Sequence, residues 1–298
     1  MPSIVLIANP YSSGVTPAIV RDVAAALGAH GATVETRTTD GRGHAREIAA
    51  DASAHADALV VLSGDGTYNE ALNGAAGKVP FGFVPGGGAS VLPRALGLPR
   101  DPVAAAYRVA DALAGGHTSR IALGRVNGRL FAFSAGLGLD AEAVRRIDRL
   151  GRDHDGRRAS NLRFVTTVVR VIAEHRFRMP AQLTVAGHGR AAFLFVANGH
   201  PYTYAGPIPV SIAENAEFSA GLDFAAPAEV GPLDVVPLAI LAVRGRLGRH
   251  KRVLSAHDVD AIDVVCDQPL PLQVDGEDLG DVESARFEAV RDALTVLR

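Results

Sequence analysis

The chain has 298 residues, long enough for two domains, and its 48% hydrophobic and 21% charged residues are an ordinary globular balance. A formal net charge of −2 gives no electrostatic case for nucleic-acid binding, and a single cysteine, Cys266, excludes a disulfide framework and a thiolate metal cluster. The N-terminus shows no signal-peptide pattern, and the longest apolar segment, Val235 to Val243, falls well short of the ~20 residues needed to span a bilayer, so a soluble, cytoplasmic protein is expected.

In chain order, Ser3 to Ala8 reads as a strand and Thr16 to Leu27 as a helix with Pro17 in its first turn. Thr33 to Arg37 is a strand, Gly43 to Ala52 a helix, and Ala58 to Leu62 a short apolar run typical of a buried parallel strand. Tyr68 to Ala76 is helical, Phe81 to Val84 is a strand, and Asp101 to Leu113 is an alanine-rich helix with Asp101 capping and Pro102 at the first position. Strands alternating with helices predict an α/β domain with a parallel sheet and helices on both faces. From Gly116 the rhythm changes. Arg120 to Val126 and Arg129 to Ser134 form a hairpin turning at Asn127-Gly128. Helices at 141–150 and 161–175 follow, then strands at 182–185, 191–198, 222–225, 233–241, 259–265, 272–274 and 287–290. These predict a mainly antiparallel β-sandwich. The expected domains are residues 1–116 and 117–290, with a tail of about 291–298 that the resemblance named below returns to the first domain.

The most informative stretch is Ser63-Gly64-Asp65-Gly66-Thr67-Tyr68-Asn69-Glu70, between an apolar strand and a helix. A loop there presents backbone N–H groups and a positive helix end, for which phosphate is the natural ligand. Asp65 suits a divalent cation, and Thr67 suits a phosphate oxygen. A helix cap is the competing role for both. Asn9, Asp65 and Gly86 each follow a strand end, so three loops converge on the sheet edge where ligands bind. None of the ten histidines has a zinc-ligand spacing, and no dinucleotide-binding Gly-x-Gly-x-x-Gly follows the first strand.

Ser63 to Asn73 resembles the nucleotide-binding signature of the diacylglycerol kinase catalytic family, lipid kinases that include the sphingosine and ceramide kinases. Asn9-Pro10-Tyr11-Ser12 resembles the family's opening loop, and Pro85-Gly86-Gly87-Gly88 its second glycine loop. Ser134 to Asp140 resembles the start of its lipid-facing region, and Gln273-Val274-Asp275-Gly276-Glu277 its late Asp-Gly-Glu motif. The resemblance implies ATP and Mg²⁺ as cofactors and a lipid hydroxyl as acceptor, as in phospholipid biosynthesis. It places the nucleotide against Asn9, Pro10, Ser12, Ser63, Gly64, Gly66, Thr67, Glu70, Pro85, Gly86, Gly87 and Ser90. It implies Asp65 and Glu277 as catalytic residues, Asp65 and Asp275 as metal ligands, and Asp140 as a substrate contact, with a surface turn as the alternative for Asp275 and Glu277, which the residues alone favour, and a helix cap as the alternative for Asp140.

The chain departs from the family at Gly88, where a phosphate-binding threonine is usual, and at Ser90, where asparagine is usual. Ser90 is expected to cap the following helix. Ser219 and Ala220 stand where an acidic pair associated with a supporting metal site is common. The Gly-Asp-Gly loop, which NAD kinases also use, leaves an NAD kinase-like enzyme as one rival, and these departures leave an inactive lipid- or nucleotide-binding homologue as another. Two arginine-rich stretches, 145–163 and Arg244–Arg252, suit either a solvated face or anionic headgroups, and the second, with five basic residues and no acid, is the better candidate for peripheral membrane contact.

Overall fold

The computed structural model describes residues 1–150, 161–205, 208–213 and 215–298, which fall into two units. Unit 1 comprises Met1–Ile121 and Asp292–Arg298, and unit 2 comprises the described residues from Ala122 to Arg291.

Unit 1 alternates strand and helix: β1 (Ser3–Ala8), α1 (Pro17–Leu27), β2 (Thr33–Thr38), α2 (His44–Ala52), β3 (Ala58–Ser63), α3 (Asp65–Ala75), β4 (Phe81–Pro85), α4 (Val91–Ala95) and α5 (Pro102–Gly115). The strands lie in the order β2–β1–β3–β4, all parallel, and Val296 pairs with Phe81 in the same sense. Alternate strand residues point to opposite faces. Ile4, Leu6, Val60, Leu62 and Val84 pack with Val23, Leu27, Ala105 and Val109 of α1 and α5. On the other face, Phe83 meets Tyr68 of α3 edge-on, with 5.2 Å between ring centroids. The expected parallel sheet with helices on both faces is what forms. Its helix starts are fixed locally: Thr16 Oγ1 accepts from Ile19 N and Asp101 Oδ1 from Ala104 N, with Pro17 and Pro102 just inside.

In unit 2 the elements are β5 (Thr118–Val126, begun in unit 1), β6 (Arg129–Phe131), β7 (Ser134–Leu137), α6 (Leu139–Leu150), α7 (Asn161–Glu174), β8 (Leu183–Val185), β9 (Gly189–Ala191) and β10 (Leu194–Ala197). Then come β11 (Thr203–Ala205), β12 (Ile208–Val210), β13 (Leu222–Pro227), α8 (Val235–Val243), β14 (Val253–Val259), β15 (Ala261–Val274) and β16 (Glu277–Leu297), whose last residues belong to unit 1. The pairing β14–β13–β10–β7–β15–β16 is antiparallel at every step, as expected of a mainly antiparallel domain. One core gathers Phe131, Leu137, Leu194, Phe224, Leu272 and Phe287. A second gathers Val171, Met179, Phe193, Tyr202 and Leu238.

Two expectations are corrected here. Residues 233–241 are not a strand; Val235–Val243 is a helix, with Pro237 in its first turn where a missing N–H costs nothing. A short unbroken apolar run has neither period, so its pattern does not separate the two states. The short strands expected at 259–265, 272–274 and 287–290 are pieces of β14, β15 and β16, which are much longer. Pro269 and Pro271 interrupt the pattern of β15 but sit at its register shifts, where a missing donor is tolerated. Arg152, Arg157 and Arg158 of the first arginine-rich stretch lie outside the described residues, as does the side chain of Arg163.

Candidate functional site

The loops that follow β1, β3 and β4 are tied to one another. Asn9 N donates to Leu62 O (3.3 Å), Gly86 N to Ser63 O (2.7 Å) and Gly14 N to Gly86 O (2.9 Å). A Cβ on Gly87 would fall 2.7 Å from Gly64 Cα, so the two loops touch this closely because Gly87 carries no side chain, whereas a Cβ on Gly64 would meet Gly87 Cα at an ordinary 3.5 Å. Short side chains complete the junction. Asn9 Nδ2 donates to Thr67 Oγ1 (2.8 Å), Ser63 Oγ donates to the same oxygen (2.7 Å), and Ser12 Oγ lies 2.8 Å from Ser63 Oγ. Asn9 Oδ1 in turn accepts from Tyr11 N (2.9 Å). With two donors on Thr67 Oγ1, the group's own hydroxyl proton is left to donate. Gly66 is buried in the first turn of α3, Pro85 is buried at the end of β4, Glu70 is half-buried on α3, and Pro10 is exposed.

Asp65 opens α3, three residues earlier than the helix expected from Tyr68, yet its carboxylate caps a different helix. Oδ2 accepts from Val91 N (3.0 Å) and Oδ1 from Leu92 N (3.1 Å), the first two residues of α4. Ser90 stands at the N-cap of α4 but does not cap it with its side chain, which corrects that expectation. Its Oγ turns back to accept from Gly87 N (3.2 Å) and donate to Gly87 O (3.1 Å), while the backbone is left-handed at φ 42°. Gly88 is exposed, and a Cβ there would meet nothing within 4 Å.

Thr39 was not singled out from the sequence. It follows β2, its N–H donates to Ala8 O (3.0 Å), and its buried hydroxyl has no hydrogen-bond partner. Such a group has a cost unless something completes it, which makes Thr39 a fourth strand-end candidate.

The remaining candidates lie in unit 2. Asp275 and Gly276, at φ 48° and 79°, form the two-residue turn between β15 and β16, the conformation that Asp-Gly favours in hairpins. The Asp275 carboxylate is buried and accepts from Ala132 N (2.7 Å), Phe133 N (3.0 Å) and Ser134 N (3.2 Å). An ion would have to displace these donors, so the geometry describes a clamp on residues 132–134. Glu277 is mostly buried and pairs with Arg129 Nη2 at 3.2 Å. Asp140 is buried in the first turn of α6, where its carboxylate accepts from Tyr202 OH, from Gln273 Nε2 (2.8 Å) and from Ala141 N (2.8 Å). Burial pushes its pKa up to about 6, and the hydrogen bonds from Tyr202 and Gln273 oppose part of that rise. Among the described residues, no group of three or more His, Cys, Asp or Glu side chains is placed to hold a metal ion.

Residues 3–126 match the family model of the diacylglycerol kinase catalytic domain. Over this stretch, somewhat under half of the chain, the sequence is similar to that family. A diacylglycerol kinase of Bacillus subtilis (strain 168) is 35% identical over 112 residues, which are 36% of this chain and 36% of that protein. The match therefore spans about a third of the length of that curated relative. A Bacillus anthracis str. Sterne crystal structure, described provisionally as a diacylglycerol kinase, superimposes with a TM-score of 0.78 at 20% identity, covering 99% of this chain and 95% of its own. An NAD kinase from Archaeoglobus fulgidus, solved with ATP, shares the fold more distantly, with a TM-score of 0.53 at 13% identity over 99% and 93% of the two chains. The two structural likenesses speak to fold, and the similarity to the kinase family lies in the sequence of residues 3–126.

Proposed function

We propose that the chain is an ATP-dependent lipid kinase, moving the γ-phosphoryl group of ATP to a lipid hydroxyl at the inner face of a bacterial membrane. The observation that carries this reading is the junction of strand-end loops in unit 1, where the Thr67 hydroxyl proton remains available beside touching glycine loops and the Thr39 hydroxyl is unpartnered at the end of β2. These donors fit a polyphosphate, which needs fixed hydrogen-bonding groups more than covalent help. The diacylglycerol kinase names of the relatives and the ATP in the NAD kinase structure support the same reading.

ATP supplies the phosphoryl group when bound, and Mg²⁺ offsets its charge. Asn9 and Ser63 fix the orientation of Thr67. Asp65 holds the start of α4 and is the residue we assign to Mg²⁺, which takes one or two carboxylates together with phosphate oxygens. Asp275 drops out of the metal assignment because its carboxylate is buried beneath three backbone donors, whereas that of Asp65, which also accepts a backbone N–H on each oxygen, is only half-buried. Glu277, oriented by Arg129, takes the proton of the lipid hydroxyl. Arg244–Arg252 makes the peripheral membrane contact.

Transfer of labelled γ-phosphate from Mg-ATP into organic-extractable lipid tests the reading, with Asp65→Ala and Glu277→Gln beside the native protein. Label with the native protein, and loss in both variants while Glu277→Gln still binds ATP, is the expected result. Label in NAD instead would assign the NAD kinase activity. ATP or lipid binding by folded protein without any transfer would assign the binding-protein reading, with Gly88 as its origin.

A further inference from the structure

α8 consists of nine residues, Val-Val-Pro-Leu-Ala-Ile-Leu-Ala-Val, without a polar side chain. Only one face is used inside unit 2: Leu238 is buried, and Val235 and Leu241 pack beside it. Val236, Ile240 and Val243 recur at four- and three-residue spacing, so they share the opposite face, and they are 65%, 47% and 50% exposed. Leu233, just before the helix, is 90% exposed. β12 lies against α8, with Ser211 N donating to Ala242 O at 3.0 Å, and brings Ile208 at 51% exposure. A surface helix ordinarily turns polar residues to water, and an apolar face of this kind marks an interaction site.

The sequence that continues from the helix supplies the other half of the argument. From Glu229 to Arg252 there are five lysine or arginine side chains, all after residue 243, against two acids, Glu229 and Asp234. Both acids are answered from within the run, since Arg252 Nη1 lies 3.8 Å from Glu229 and 3.5 Å from Asp234. An apolar helix face continued by a basic segment suits an anionic lipid surface, which takes the apolar side chains below its headgroups and the cations among its phosphates. A protein partner or a second copy of the chain would cover the apolar face but gives no reason for the excess of basic over acidic residues in the run that continues it.

We infer that α8 is a membrane-docking helix, inserting Leu233, Val236, Ile240 and Val243 into an anionic lipid surface while Arg244–Arg252 binds its headgroups. The inference deepens the lipid-kinase reading by naming how the protein meets its substrate phase, and its vesicle-binding test uses neither ATP nor an acceptor lipid, turnover serving only as a control. The chain has no tryptophan, so Val236→Trp introduces a single indole as a reporter.

With vesicles of equal parts phosphatidylglycerol and phosphatidylcholine, its emission shifts blue and is quenched by lipids brominated in the acyl chain. With phosphatidylcholine alone the effect is much smaller. Val265→Trp, at an exposed position of β15, stays unquenched in both. Vesicle partitioning falls at least ~100-fold in Val236→Asp/Ile240→Asp, because two buried apolar side chains are lost and charges put in their place. It falls about fivefold for each of Arg244→Gln and Lys251→Gln at low salt. Turnover of the aspartate variant on a short-chain acceptor dissolved below its micelle concentration stays at the native level, so a failure of docking is not confused with a failure of the kinase reading. An unquenched indole at position 236 with anionic vesicles overturns the proposal. So does concentration-dependent self-association that the aspartates abolish while vesicle binding is unchanged.

Discussion

At the strand ends of unit 1, Asn9, Ser12, Ser63 and Thr67 share hydrogen bonds among short neutral side chains, and donors remain at Thr67 and Thr39. In unit 2, Asp140 and Asp275 are buried carboxylates whose oxygens receive donors from their own unit. Both sets were nominated by motif resemblance, yet their surroundings differ in kind. Where the local network keeps a donor in reserve, a ligand has something to complete. Where neighbours already engage the acceptors, the residue's first effect is on stability. A motif names residue types at a spacing, and only their partners separate these two uses.

The largest expected effect tests the structural side of that contrast. Asp275→Ala leaves three buried N–H groups without their acceptor and should lower stability by about 4 kcal/mol, read from urea unfolding. A loss under about 1 kcal/mol would return Asp275 to the metal-ligand candidates. Asp140 comes next. Its folded pKa of about 6 stands above the ordinary 3.8, so its folded state holds a proton that the unfolded chain has released between those values. The associated stability is present below pH 3.8, falls as pH rises to about 6, and is flat above. The span corresponds to about 3 kcal/mol. Asp140→Asn should remove that slope, and parallel unfolding curves for both proteins from pH 4 to 7 would refute the burial argument.

On the ligand-facing side the effects are smaller and fall on binding. Thr39→Val replaces an unpartnered buried hydroxyl with an isosteric methyl, so thermal stability should rise by about 1 kcal/mol while KM for ATP rises about tenfold. A variant unchanged in KM would remove Thr39 from the site. Gly88→Thr is the smallest change. The position is exposed, with open space around a Cβ, so a hydroxyl can be added without strain, and KM for ATP should fall severalfold with the melting temperature unchanged.

Much of unit 1 was legible because its code is local. Ala58 to Leu62 is only five residues between turn residues, too short for a helix, so its length decides what its uniform apolarity does not, and Thr16-Pro17 and Asp101-Pro102 announce helix starts by side-chain chemistry alone. Unit 2 hid more. The apolar run at 235–243 carries no period, and β15 disguises its length with Pro269 and Pro271 at register shifts. Asp275-Gly276 reads both as a motif and as a turn, and the turn, which the residues alone favour, is what the backbone forms. That Asp65 caps α4 depends on a contact 26 residues away. The orphaned hydroxyl of Thr39 comes from packing, so no local pattern announces it.

The pairing of Val296 with Phe81 bears on biosynthesis. Leu294, Val296 and Leu297 are all buried, and they reach the sheet edge beside β4 only after every residue of unit 2 has been translated. At ~5–20 residues per second, unit 1 waits on the order of ten to thirty seconds with that edge unsatisfied, although domains ordinarily fold as the ribosome releases them. A nascent chain in this interval presents β4, which contains Phe81 and Phe83, with one edge paired to β3 and the other open, an exposed strand edge that a stalled or prematurely stopped chain would keep.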